Sequence, residues 1–417
     1  VTGHHTLHPA PPTAAVEAAL NRAVELARCG PRHDRNPRVG CVLLDPEGVT
    51  VGEGFHAGHG TPHAEAVALA AAGGSARGTT AVVTLEPCSH HGRTPPCADA
   101  LVAAGITQVV YAGADPTHAG GGARVLREAG VVVREHRHTG AEQVVADWAR
   151  AATLGRPHVT WKVASTLDGR VAAADGTSRW ITSPESRAEA HRVRTRVGAV
   201  VVGTGTALAD DPSLTARDRA GRLLPDQPLR VVVGHRDLPA GSRLGETRAG
   251  EMVPGEGNAD GWSSGEGPRD DQVSSSREGP VLHLRTHDPA QVLAELRGRG
   301  VHSVLLEGGP TLAGAFWRAG LVDELLVHLA PALLGAGPGA VPDLGIGTLT
   351  DAARLDLVDV DRLGPDLQLR LRSVPGPATT RNGSAPTHSA ASASTGTAAV
   401  HAASSEHAHT PSDQEVP

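Results

Sequence analysis

Aromatic side chains are nearly absent from this chain: five Trp, two Phe and one Tyr among 417 residues, or 2%. With so few large rings, any core must be packed mainly with Val, Leu and Ala, and few platforms exist on which nucleic-acid bases could stack. Excess positive charge is lacking too. Lys and Arg number 38 against 45 Asp and Glu, a net charge of -7, which argues against a surface for nucleic acid. No apolar run approaches the roughly 20 residues of a membrane span, and no charged-then-apolar signal segment precedes the first helical pattern. Four cysteines are few for a disulfide framework and fit a reducing compartment, so a cytoplasmic protein is expected. Cys29 and Cys41 read as small buried apolar groups.

What is present is a constellation around His63-Ala64-Glu65, Pro87-Cys88 and Cys97. Zinc deaminases hold their metal with one His and two Cys thiolates, leave the fourth position to a water, and use a Glu that is not a ligand to move protons. His63, Cys88 and Cys97 are therefore the candidate zinc ligands, and Glu65 the candidate proton shuttle between water, ring nitrogen and departing amine. Locally, Thr61 and Pro62 read as N-cap and first residue of a helix carrying His63 and Glu65 in its first turn. Val82–Leu85 reads as a buried strand ending before Cys88. Cys97 reads as the start of another helix, where the helix dipole favours a thiolate. The alternatives at this point are two buried or bridged cysteines with a capping carboxylate.

Alternating strand and helix patterns predict an α/β fold in two core-forming domains: a deaminase domain over 14–150 and a second domain over 157–375. A helix over Ala14–Ala27, a hairpin from Val39–Leu44 and Val49–Phe55, a strand over Val109–Ala112, a helix over Ala123–Ala129 and a strand over Val131–Val133 belong to the first. In the second, strands are expected at His158–Ala164, Ala199–Gly203, Leu229–Val233, Pro280–Leu284, Ser303–Leu306 and Glu324–Leu329. Helices are expected at Pro184–Val197, Pro289–Arg297 and Thr311–Ala319, and the break between domains between Trp148 and Pro157. Three stretches lack apolar periodicity: 1–13 reads as a flexible leader, Gly241–Gly279 as a surface insertion, and Gly376–Pro417 as a disordered tail.

The block Thr84–Cys97, with eight residues between its cysteines, resembles the family of bifunctional riboflavin-biosynthesis deaminase-reductases, the RibD family, as do Asn36–Gly40 and Gly52–His56. Cytidine and tRNA deaminases close the motif as C-x-x-C instead. The resemblance continues through Lys162–Arg170, Ser178–Thr182, Leu208–Pro212 and Glu307–Thr311, covering about residues 14 to 375. It implies a cytidine-deaminase-like α/β/α sandwich followed by a dihydrofolate-reductase-like α/β domain. It implies deamination of 2,5-diamino-6-(5-phosphoribosylamino)pyrimidin-4(3H)-one with Zn2+, then NADPH-dependent reduction of the ribosyl chain to ribityl; a homo-oligomer is expected.

Position by position, the resemblance puts NADPH contacts at Ala164, Trp180, Thr206, Asp210 and the run Gly309, Pro310, Thr311, Leu312, Ala313, Gly314 and Ala315. Substrate contacts fall at Asn36, His91, Arg93, Ser178, Arg194, Leu214, Arg217 and Glu307, with Lys162 and Glu307 assigned to the reduction itself. Arg194 and Arg217 are the expected phosphate partners, since guanidinium presents a bidentate fork. Gly234-His235 departs from the family pattern. The competing reading is a nucleoside or nucleic-acid zinc deaminase with an appended nucleotide-binding domain, which the acidic charge and long cysteine spacing disfavour.

Overall fold

In a computed structural model, the described residues are 11–32, 34–90, 95–245, 279 and 281–373. The first sheet comprises β1 (Gly40–Leu44), β2 (Thr50–Phe55), β3 (Thr80–Val83), β4 (Gln108–Tyr111) and β5 (Val132–Glu135), in the order β2-β1-β3-β4-β5. The expected hairpin is the antiparallel β1–β2 pair; β3 lies antiparallel to β1, and β3, β4 and β5 run parallel. Among the described residues, five helices flank it: α1 (Thr13–Cys29), α2 (Ala64–Ala72), α3 (Cys97–Ala104), α4 (Gly122–Glu128) and α5 (Thr139–Leu154).

Strand alternation explains the layering. Cys41, Leu43, Ala81, Val83 and Val109 pack with α2, α3 and α4, while Val42, Leu44, Val82 and Val110 on the opposite face pack with α1 and α5. On β2 the inward positions are Gly52 and Gly54, and a Cβ at either would come within 2.5 Å of a carbonyl oxygen of α2, that of Ala68 or Ala64. Missing side chains thus let the alanine-rich α2 lie directly on the strand, which fixes the depth of its N-terminus.

Helix α5, missed in the sequence, runs to Leu154, so only Gly155, Arg156 and Pro157 separate it from the second sheet. That sheet uses β6 (His158–Thr166), β7 (Ala199–Gly203), β8 (Leu229–Val233), β9 (Val281–Leu284), β10 (Ser303–Leu306), β11 (Glu324–Ala330), β12 (Leu355–Leu363) and β13 (Asp366–Ser373). Its helices are α6 (Pro184–Arg194), α7 (Thr204–Asp210), α8 (Pro289–Gly298) and α9 (Pro310–Arg318). The strand order is β12-β13-β11-β6-β10-β7-β8-β9, parallel from β11 to β9, with an antiparallel pair of strands on the β11 side.

The six predicted strands match β6 to β11 closely. Helix α6 stops at Arg194, short of the expected Val197, and α7, β12 and β13 were not anticipated. The last two carried a readable signal, since Leu367, Leu369 and Leu371 alternate with polar residues. One face of the sheet carries Val159, Trp161, Val163, Val231 and Leu306 against α8 and α9; the other carries Val200, Val202, Val232 and Leu305.

Leu244, 1% exposed, joins that second cluster, and the Arg243 amide donates to Asp211 Oδ1. The stretch read as a surface insertion from Gly241 therefore begins packed. Its remainder to residue 278 lies outside the described residues, as do 1–10 of the leader and the tail from 374; Thr13 belongs to α1. Cys41 is buried as expected, but Cys29 is exposed, because it lies on the outer face of the last turn of α1.

Candidate functional site

His63 is the N-cap of α2, with φ -70° and ψ 160°, and α2 starts at Ala64. The expected N-cap at Thr61 is therefore two residues early: Pro62 and His63 remain extended, and only Glu65 lies in the first turn. This geometry serves the site, because an extended His63 projects from the helix end while Glu65 turns inward and is 4% exposed. Cys97 is the first residue of α3 and Cys88 lies in the loop after β3. The Cys97 amide donates to Cys88 Sγ at 3.4 Å; His63 Nδ1 lies 3.3 Å from Cys97 Sγ and 3.6 Å from Cys88 Sγ.

One imidazole nitrogen and two sulfurs within 4.8 Å of one another are a donor set suited to zinc. Hydrogen bonding from Cys97, joined by His63, brings Cys88 down to about 4 against the opposing effect of burial. Cys97 is pushed well up, first by the neighbouring Cys88 sulfur and then by burial. The contact between the two sulfurs favours the thiolate at Cys88, and a bound cation would supply the field that favours the second. Burial raises the Glu65 pKa, which favours a carboxyl able to carry a proton closer to neutral pH.

Two supports had not been singled out in the sequence. His56 is 4% exposed, its Nδ1 lies 3.0 Å from the Pro62 carbonyl and its Nε2 3.0 Å from Asn36 Nδ2. Since a carbonyl only accepts, Nδ1 carries the proton and Nε2 accepts from the amide, a neutral form that burial, lowering the His56 pKa, favours. That pins Asn36 and the residue before His63, whose ring meets His56 edge to face at 5.3 Å. Glu86 accepts from the amides of Gly121, Ala123 and Asp115, tying the α4 N-terminus to the cysteine loop. At Gly122 a Cβ would meet the Pro87 carbonyl oxygen at 1.9 Å, so only glycine permits that approach. The site opens into a cavity of about 1100 Å³ whose wall includes Asn36, His56, His63, Glu65, Cys88 and His118. The expected substrate residues His91 and Arg93 lie outside the described residues.

In the second sheet, Lys162 on β6 and Glu307 after β10 gather with Arg194 at the end of α6. Arg194 Nε and Nη2 donate to the two Glu307 oxygens at 2.9 and 2.6 Å, and its Nη1 donates to the Thr215 carbonyl at 3.0 Å. Burial opposes ionisation of Glu307, but Arg194, with Lys162 assisting, holds it down at about 2. Burial also lowers the Lys162 pKa, against the pull of Glu307. Arg194 is therefore a poor match for the expected phosphate partner, because its fork is engaged by a carboxylate. Arg217 bonds through Nε to Thr215 Oγ1 and through Nη1 to the Gly221 carbonyl.

Leu214, at φ 54° and 2% exposed, packs among Val193, Val200 and Val232, so its side chain is turned from solvent. Thr206 on α7 accepts from the Gly309 amide at 2.9 Å, joining two of the expected NADPH segments. Pro310 opens α9 after the Gly309 N-cap, leaving first-turn amides with no acceptor in the helix, a seat for phosphate. Ala313 and Gly314 are buried, so of that run the first turn and the half-buried Ala315 are what a cofactor could meet. Ala164 lies on β6 two residues past Lys162, and Asp210 ends α7 with its carbonyl accepting from Arg179. Ser178 is half-buried in the loop before α6, and Trp180 is 70% exposed with the Arg187 guanidinium 4.5 Å over its ring. At Gly234, φ is 129° and a Cβ would meet Thr204 Oγ1 at 2.7 Å, so the departure from the family pattern follows from packing against α7.

Residues 14–113 match the family model of the cytidine and deoxycytidylate deaminase zinc-binding region, and residues 157–369 that of the RibD C-terminal domain. A riboflavin biosynthesis protein RibD from Mycobacterium tuberculosis is 47% identical over 340 residues, 80% of this chain and 90% of that protein. The Escherichia coli RibD is 39% identical over 378 residues, 85% of this chain and 98% of its own. The solved structure of Acinetobacter baumannii RibD, 35% identical, covers 87% of this chain and 99% of its own with a TM-score of 0.64. A Thermotoga maritima structure titled a diaminohydroxyphosphoribosylaminopyrimidine deaminase/5-amino-6-(5-phosphoribosylamino)uracil reductase matches at 30% identity, the same coverages and a TM-score of 0.63.

Proposed function

The chain belongs to the RibD family of riboflavin biosynthesis, and on that premise we propose that its two reactions divide between the two sheets, with the residues named above in specific roles. It is a bifunctional enzyme, a zinc-dependent pyrimidine deaminase and an NADPH-dependent reductase. It removes the 2-amino group of 2,5-diamino-6-(5-phosphoribosylamino)pyrimidin-4(3H)-one and then reduces the ribosyl chain of the product to ribityl. The observation that carries the reading of the first half is the His63, Cys88 and Cys97 cluster with buried Glu65 beside it.

His63, Cys88 and Cys97 would hold the zinc, which when bound lowers the pKa of a water toward neutrality and so makes a nucleophile available. Glu65 would carry the two protons of the attacking water in turn, one to the ring nitrogen and one to the amine that leaves as ammonia while the carbonyl forms; its burial supports the exchange by keeping the carboxyl poorly solvated. Asn36, held by His56, orients the pyrimidine, and His91 and Arg93 engage its polar groups and phosphate. NADPH supplies hydride in the second half. There Lys162 and Glu307 orient the ribosyl chain, Arg217 engages the substrate phosphate, and the first turn of α9 with Thr206 receives the dinucleotide phosphates. Arg194 acts through Glu307, keeping it ionised and in place.

The reading extends to the cytoplasm as location, supported by zinc ligands that must stay reduced, and to a homo-oligomer, supported by the exposed Leu357, Val358 and Val360 on edge strand β12. Among the described residues no helix is long and apolar enough to cross a membrane. One experiment tests the core of the reading: incubate zinc-loaded protein with the diaminopyrimidine phosphate, with and without NADPH. Deaminated ribosyl product should appear without NADPH and ribityl product only with it; NADPH oxidation without prior deamination would overturn the order.

A further inference from the structure

Between the two sheets lies a second cavity, of about 730 Å³, that contains none of the zinc ligands and neither Lys162 nor Glu307. Its charge is unlike that of the chain as a whole. Seven arginines line it against three carboxylates, those of Asp147, Asp226 and Glu324. All three are taken: Arg150 lies 3.6 Å from Asp147, Arg32 lies 3.3 Å from Asp226, and Arg370 lies 2.9 Å from Glu324.

Arg28, Arg38, Arg196 and Arg372 remain. Arg38 is half-buried and donates only to the carbonyls of Ala27 and Arg28. Burial and then the charge of Arg32 hold its pKa below the ordinary value, so the cavity already repels its own cations. Arg28, Arg196 and Arg372 form no ion pair with any described residue, although Arg372 stands opposite Glu324 and Asp356 in the sheet register. A concave wall on which four guanidiniums have no carboxylate partner among the described residues concentrates positive potential and favours an anion of matching geometry. Phosphate is that anion for guanidinium, and the volume falls within the range of small-molecule sites.

We propose that this arginine-lined cavity binds the phosphate group of a small molecule, free or esterified, away from the zinc ligands and from Lys162 and Glu307. Its wall shares Asn36, Pro37, Trp148 and His302 with the zinc-side cavity, so an occupant would sit behind the residue that steadies His56. The apolar Val144, Val193 and Leu326 on the same wall favour an ester over the bare ion.

The test is isothermal titration of the zinc-loaded full chain with ribose 5-phosphate and, separately, with inorganic phosphate. The same titrations are run on a triple variant, Arg28→Glu, Arg196→Glu and Arg372→Glu, whose melting and two activities are measured in parallel. All three positions are exposed, so the fold should survive. We expect one binding step to weaken at least about ten-fold, some 1.4 kcal/mol, with both turnover rates unchanged. Tighter binding of the sugar phosphate identifies an ester site, and equal binding a free-phosphate site. If the triple variant melts early, Arg196→Gln alone should still weaken the step measurably. Superimposable isotherms for all forms overturn the proposal. So does a variant that changes only the oligomeric state in sedimentation, which would make this face an interface between copies.

Discussion

The zinc cluster and the Lys162–Arg194–Glu307 cluster differ in how far apart in the chain their parts lie. Cys88 and Cys97 are nine residues apart and His63 34 from Cys97, and each sits where an element begins or a strand has just ended. Arg194 and Glu307 are 113 residues apart and meet only because β10 lies between β6 and β7. The first site needs two sulfurs, one imidazole nitrogen and a cation. The second is a buried ion pair whose charges must satisfy each other before any substrate arrives, and separating such a pair costs about 3–5 kcal/mol. A ligand set spread over helix ends and a loop can be emptied of metal without unfolding the sheet; a charge pair between a helix end and a strand end is part of the packing.

The sharpest break in that comparison is at the ligands. Cys97→Ser should lose zinc, read by atomic absorption, and deamination to below detection, while Glu65→Gln should keep zinc and lose deamination by about 10²–10⁴-fold. Either variant should still reduce the deaminated ribosyl compound when it is supplied ready-made. A Glu65→Gln protein that deaminates at the wild-type rate removes the shuttle from the scheme.

The opposite separation comes from Lys162→Ala, expected to slow reduction by about 100-fold through misplacement of the reacting chain. Deamination should continue, so the deaminated ribosyl compound accumulates. Glu307→Gln should do the same with a fall in melting temperature, because it leaves Arg194 buried without its charge partner. Loss of deamination in a folded Lys162→Ala protein would mean one composite site.

Acid should distinguish the halves next. His158 and His328, both on the second sheet, are held down at about 4 chiefly by burial. A histidine harder to protonate folded than unfolded stabilises fully above about 6.5, and that stability drains as pH falls toward 4, on the order of 3 kcal/mol each. Thermal melts between pH 7 and 4 should show the loss, and His328→Gln should flatten the curve; a flat wild-type curve contradicts the assignment.

Smaller again is Leu244→Ala, which opens a cavity beside Val200 and Val232 and should cost about 2–5 kcal/mol of unfolding free energy in urea titrations. The smallest effect belongs to the rest of that stretch: replacing residues 246–278 with a short Gly-Ser linker, or ending the chain after residue 375, should leave both activities and the melting temperature nearly unchanged. A large loss of either activity would show these segments to be functional.

Legibility in the sequence followed the same division. The strands β6 to β11 and helices α1, α3, α8 and α9 were readable because each buries a regular apolar face. Helix α5 was overlooked because Gly140 and a charged outer face dilute its pattern, and β12 because its mostly exposed side chains leave little contrast between faces. At the zinc site the ligands and Glu65 could be named from spacing, but not the N-cap position of His63, nor the part played by His56 or Glu86, whose partners come from other loops.

By itself, the sequence determined that this chain carries an α/β deaminase half with three metal donors and an acid-base group, followed by a second α/β half, because helix ends, strand alternation and short-range spacing are written within a few residues of one another. Only the tertiary structure decided that Arg194 is bound to Glu307, that Leu214 and Leu244 face a core, and that uncompensated arginines line the cavity between the sheets. Those outcomes depend on which strands become neighbours, and a charge or an apolar group acquires its partner, its burial and its pKa only when distant segments close around it.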